Sequence, residues 1–107
     1  MVRREPFTIR YNEATVQHLL SIEQKYHNLI RSFIIEQLTF DPDVETRNRK
    51  PLRQPAPFDA TWELRCGPNN RFRVLYGIDF DQHEVQIHAI GTKIGNRLVV
   101  GKLEIKI

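Results

Sequence analysis

Between Thr61 and Lys93 the chain reads TWELRCGPNNRFRVLYGIDFDQHEVQIHAIGTK, and apolar side chains recur there at every second position. Trp62, Leu64 and Cys66 alternate with Glu63 and Arg65, while Phe72, Val74, Tyr76 and Ile78 alternate with Arg71, Arg73 and Leu75. A strand turns successive side chains to opposite faces, so this spacing demands a sheet with one apolar face. Gly67-Pro68-Asn69-Asn70 supplies the turn between the two runs. Arg65 and Arg73 then leave the apolar face together and stand side by side on the open one. Guanidinium groups so displayed suit a phosphate-rich ligand, because Arg stays charged and binds phosphate oxygens through paired N–H donors.

The rest of the chain supplies what covers the apolar face. Phe7, Ile9 and Tyr11 alternate after Pro6, giving a first strand, and Asn12 is an N-cap for a helix. From Glu13 to Thr39 the apolar residues Val16, Leu19, Leu20, Tyr26, Leu29, Ile30, Phe33, Ile34 and Leu38 follow helical spacing. The stripe breaks near Gln24–Asn28, which predicts two antiparallel helices joined by a tight turn. Asp41-Pro42 ends the helical stretch, since a residue before proline avoids the helical region. Residues 41–60 form a proline-rich loop containing Arg47-Asn48-Arg49-Lys50-Pro51-Leu52-Arg53. After the two alternating runs, Val85–Ile90 makes a further strand, and Leu103–Ile107 alternates as a short last one. The expected fold class is α+β: an N-terminal strand, a helical hairpin, then a three- to four-stranded antiparallel meander. At 107 residues this is one domain, spanning 1–107.

Charge separates the two halves. Residues 1–46 hold five Lys and Arg against seven Asp and Glu, whereas residues 47–107 hold eleven against six. The positive excess therefore lies on the loop and sheet, which suggests an anionic partner for that half. One cysteine forms no internal disulfide, and no apolar run approaches the roughly 20 residues a membrane-spanning helix needs. A soluble, cytoplasmic protein is the expectation. The four histidines and Cys66 show no metal-ligand spacing, so neither a metal nor another cofactor is expected.

Read in order, Leu38…Asp41-Pro42, Arg49-Lys50-Pro51-Leu52, Trp62-Glu63-Leu64-Arg65, Arg71-Phe72-Arg73-Val74-Leu75-Tyr76 and Ile90-Gly91-Thr92-Lys93 resemble the RelE/ParE superfamily of toxin–antitoxin toxins. The resemblance covers roughly residues 7 to 101 and rests on order and spacing. It implies a bacterial toxin held inactive by a small antitoxin. RelE-like members cut messenger RNA in the ribosomal decoding site, without a metal, by attack of the 2′-OH on the adjacent phosphate. ParE-like members act on DNA gyrase and cut nothing themselves. A third option is a degenerate member that only binds an antitoxin.

By this resemblance Arg65, Arg73 and Lys93 are the candidate catalytic residues, placed to orient a phosphate and neutralise developing charge. His88, expected on the open face of its strand, is a candidate acid or base near neutral pH. Arg47, Arg49, Lys50, Arg53, Arg71 and Arg97 are candidate RNA-binding residues. Glu63 stands where the family places a second basic residue. The C-terminal aromatic hydroxyl of RelE-like enzymes has no counterpart in Asn96-Arg97-Leu98-Val99-Val100. His18, His27, His83, Cys66, Trp62, Phe72 and Tyr76 read as structural.

Overall fold

The computed structural model describes residues 4–106. Strand β1 (Thr8–Tyr11) leads into helix α1 (Ala14–Leu20), a single 3₁₀ turn, and helix α2 (His27–Leu38). Asn12 starts the helical layer as its side chain predicts: Oδ1 accepts the Ala14 N–H at 2.9 Å, filling one of the donors a helix start leaves open. The interruption falls at 21–26, slightly earlier than the apolar spacing indicated, so α1 has only two turns. It lies on β5, whereas α2 lies nearer β3, where β3 is Trp62–Cys66 and β5 is Glu84–Ile94.

The sheet is larger than the expected meander. Its order is β2-β3-β4-β5-β6-β7, with β1 joined to β5 in parallel. Strand β2 is Arg49–Pro51, β4 is Phe72–Asp79, β6 is Arg97–Val100 and β7 is Leu103–Lys106. The last strand arrives where alternation placed it, although Ile107 lies outside the described residues. Strand β2 was not expected. Three residues of the proline-rich loop pair with β3, Arg49 opposite Leu64 and Pro51 opposite Trp62, and make the loop an edge of the sheet.

The helix-covered face packs as the alternation required. Ile30, Ile34 and Leu38 of α2 meet Leu64, Cys66, Phe72, Val74, Tyr76, Val85, Ile87 and Ile90, all of them buried. Tyr76 also donates its hydroxyl to the Pro42 carbonyl at 2.7 Å, tying the loop to the core. The opposite face is not bare. Leu75 and Ala89 form a second buried cluster there with Ala60, Leu98 and Val100, with Leu52, Phe58 and Ile105 packed around it. Leu75 is therefore a core residue, not part of an open arginine face.

One irregularity sets what each face carries. Tyr76 pairs with Ile87 while Leu75 pairs with Ala89, so His88 is an extra residue with no partner on β4. Before this bulge Val85 and Ile87 point toward the helices; beyond it Ile90 does, and Ala89, Gly91 and Lys93 turn to the other side. The outer edge of β5 changes partners at the same place. β1 pairs with residues 84–87 and β6 with residues 92–94. Between them the Ile90 N–H, left without a strand neighbour, donates to His18 Nδ1 on α1 at 3.3 Å. Gly91 follows, where β6 crosses so closely that a Cβ would lie 2.7 Å from the Val99 carbonyl oxygen and 2.8 Å from Val100 Cγ2.

Candidate anion-binding site

Arg65 and Arg73 are direct cross-strand partners, and Arg73 is in turn opposite Gly91. Two like charges in that relation repel, and the sheet tolerates them through Glu63, two residues before Arg65 on the same face. Glu63 Oε1 accepts from Arg65 Nε at 2.7 Å and from Arg73 Nη1 at 2.8 Å. Arg73 Nε also donates to the Asn70 carbonyl at 3.1 Å, so the turn between the strands fixes the guanidinium plane. Side-chain exposure falls from 38% at Arg65 to 14% at Glu63 and 11% at Arg73. The cluster is thus a recessed triad of net charge +1 that opens on the Arg65 side.

Two further cations, Lys93 and Lys50, belong to this side of the sheet. Lys93 extends from the same face as Arg73, two residues beyond Gly91, is exposed, and makes no ion pair among the described residues. Lys50 is opposite Glu63, with its Nζ 3.4 Å from Glu45 Oε2. Arg47 is exposed, and its neighbour Asn48 clasps the Arg65 backbone: the Asn48 carbonyl accepts the Arg65 N–H at 2.8 Å and Nδ2 donates to the Arg65 carbonyl at 2.9 Å. Arg53 is exposed just past β2.

Four of the residues singled out in the sequence lie elsewhere. Arg49 is buried at 8% exposure and serves the fold. Its Nε donates to the Val44 carbonyl, and its Nη1 to the Gln37 carbonyl and Gln37 Oε1, each at 2.8 Å. Arg71 precedes β4 in helical backbone and folds over to the helix side, its guanidinium 5.3 Å from the Tyr26 ring centre and 5.2 Å from that of Phe72. Arg97 is opposite Ile94, also on the helix side, and pairs with Glu104 at 2.9 Å. His88, the bulge residue, lies against Gly77, four positions along β4 from Arg73. At about 3.3 Å per strand residue that is roughly 13 Å away, too far to exchange a proton with a group bound at the arginines. It lines a separate cleft of ≈ 400 Å³ with Arg10, Glu13 and Gln86.

Two ionisable groups of the neighbouring strands, Cys66 and Tyr76, face the helix-side core and are poor proton carriers. Burial pushes the Cys66 thiol up to about 12, despite the lowering influence of Arg73, so it remains protonated and inert. Burial likewise raises the Tyr76 phenol, which is already committed to Pro42. Among the described residues no group of three His, Cys, Asp or Glu side chains could hold a metal ion. No described helix is long and apolar enough to cross a membrane. Asn48 and Asn70, which position the arginines through backbone contacts, had no signal beyond being turn formers. The role of Glu63 was legible in part, as an acid two positions from Arg65 on a strand.

Among solved structures, the chain is similar to one chain of the toxin–antitoxin complex RelBE2 from Mycobacterium tuberculosis. The TM-score is 0.68 at 24% identity, over 85% of this chain and 95% of that one. The two chains share a fold. No protein-family model matches the sequence, and no curated protein matches it. In this fold the helices lie on one face of the sheet, and Arg65, Arg73 and Lys93 are carried on the other.

Proposed function

We propose that this protein is the toxin of a type II toxin–antitoxin module, acting as a metal-independent endoribonuclease on ribosome-bound messenger RNA and neutralised by a cognate antitoxin. The RelE-type fold supports the toxin role. The observation that carries the chemistry is the cross-strand pairing of Arg65 with Arg73, joined on the same face by Lys93, which makes no ion pair among the described residues. Three fixed cations over a phosphate orient it for in-line attack by the 2′-OH and offset the charge that develops on its oxygens. Positioning and electrostatics supply the rate in this scheme. Arg47 and Arg53, exposed on either side of β2, supply further cations for the RNA backbone.

A second reading, a ParE-like toxin that docks on DNA gyrase without cutting, draws on two observations: Glu63 already neutralises one arginine, and His88 lies far from the pair. Induced expression with mapping of transcript ends separates the two. The ribonuclease reading expects growth arrest with new 3′ ends inside messenger RNAs, both reduced at least tenfold by Lys93→Ala, an exposed change that leaves the fold intact. Arrest with unaltered transcripts and a DNA-damage response would establish the gyrase reading in its place.

A further inference from the structure

The triad leaves its best donors unused. Arg65 spends only Nε on Glu63, and Arg73 spends Nε and Nη1, so both Arg65 Nη groups and Arg73 Nη2 make no hydrogen bond among the described residues. Among the described residues no buried side-chain nitrogen or oxygen lacks a partner, so these nitrogens touch solvent. Glu63, by contrast, bridges both arginines through one oxygen, Oε1. A carboxylate held between two guanidinium forks occupies the ground a phosphate would take, since both anions meet Arg through the same donor geometry.

We propose that Glu63 is an internal stand-in for the ligand: it holds Arg65 and Arg73 in a phosphate-ready arrangement in the free protein, and RNA must displace its carboxylate to engage both. Glu63 is in this view a positioning and gating residue, not a catalytic one. It keeps the guanidinium groups from repelling each other and from collecting stray anions, and it sets a threshold that a polyanion crosses more readily than a free phosphate. Lys93, on the same face and without an ion pair among the described residues, gives RNA the first foothold from which to do so. The inference rests on reading this face as the phosphate-binding one, but not on RNA being cut.

The test compares the native protein with Glu63→Gln, which keeps shape and one acceptor but removes the charge, and with Glu63→Asp, which keeps the charge. Binding of a fluorescent single-stranded RNA is followed by anisotropy across a salt series. Glu63→Gln should bind about three- to tenfold more tightly near 0.1 M salt, with a log–log salt slope steeper by about 0.7, the value for one more phosphate neutralised on a single strand. Glu63→Asp should track the native protein in slope. The Arg65 Nε–H resonance is a readout free of RNA: inorganic phosphate should shift it in Glu63→Gln at concentrations that leave the native protein unmoved. Equal or weaker RNA binding by a folded Glu63→Gln, or a phosphate response no larger than native, overturns the proposal and makes Glu63 a scaffold. Transcript cleavage by the native protein alongside such a result would leave the ribonuclease reading standing without it.

Discussion

Replacing Arg49 by Met separates a structural arginine from the ligand-facing ones. Arg49 joins three parts of the chain: Gln37 in the last turn of α2, Val44 in the following loop, and its own strand β2. The Gln37 carbonyl is one of those a helix end leaves without an internal partner, and a cation there also meets the negative end of the helix dipole. Met matches the aliphatic stem but offers no donor. Gln37 Oε1 can swing to water, whereas the Gln37 and Val44 carbonyls lose their partner in a site only 8% exposed. An unsatisfied buried acceptor costs about 1–3 kcal/mol, and some water entry plus the apolar gain of Met offsets part of the sum for two. The expected loss is about 3 kcal/mol, which for a domain of about 100 residues lowers Tm by roughly 12–24 °C. Urea and thermal unfolding measure it, with the midpoint moving and the denaturant slope unchanged. RNA affinity, taken at a temperature where the variant is folded, should stay within about twofold of native. A loss under about 0.5 kcal/mol together with a tenfold drop in RNA affinity would show that Arg49 faces the ligand after all.

Gly91→Ala should destabilise by about 2–3 kcal/mol, because the new methyl meets the Val99 carbonyl and the Val100 side chain; hydrogen exchange should show the β6 amides losing protection first, and a change under about 0.5 kcal/mol would mean that β6 can shift aside. His18 makes folding sensitive to mild acid. Its Nδ1 must be unprotonated to accept from Ile90, and burial lowers its pKa from 6.5, so between those two values the unfolded chain binds more protons. This contribution is complete above pH 6.5 and falls away as pH drops toward the folded value; His18→Gln should flatten stability between pH 7 and 5.5, and an unchanged profile would refute the role.

Local periodicity was a good guide wherever a single period ran unbroken. The alternation in 62–66 and 72–78 located β3 and β4, placed Arg65 beside Arg73, and identified Leu64, Phe72, Val74 and Tyr76 as core. It said less about the other face, whose cover comes from distant segments. Leu75 was the available clue, an apolar residue in the arginine register, matched by Leu98 and Val100 in a tail that needed something to pack on. Arg49 gave no such clue, because arginine is seldom buried and its three acceptors come from residues 5 to 12 positions away. Arg71 and Arg97 carry the right chemistry but the wrong direction, which depends on where a strand begins and on register. His88 was expected on its strand's open face, yet nothing in HEVQIHAIG announces that it is supernumerary.

That surplus residue reaches beyond its own position. Counted from Val85, an unbroken strand would aim Lys93 at the helices and leave Thr92 beside the arginines. Shortening the chain by one residue at 88 would rotate every later side chain of β5 by half a turn and strip the positive surface of its freest member, with no charged residue having been altered. The formal charge, counted with histidine neutral, would read the same afterwards, and the proposed phosphate site would have lost a cation.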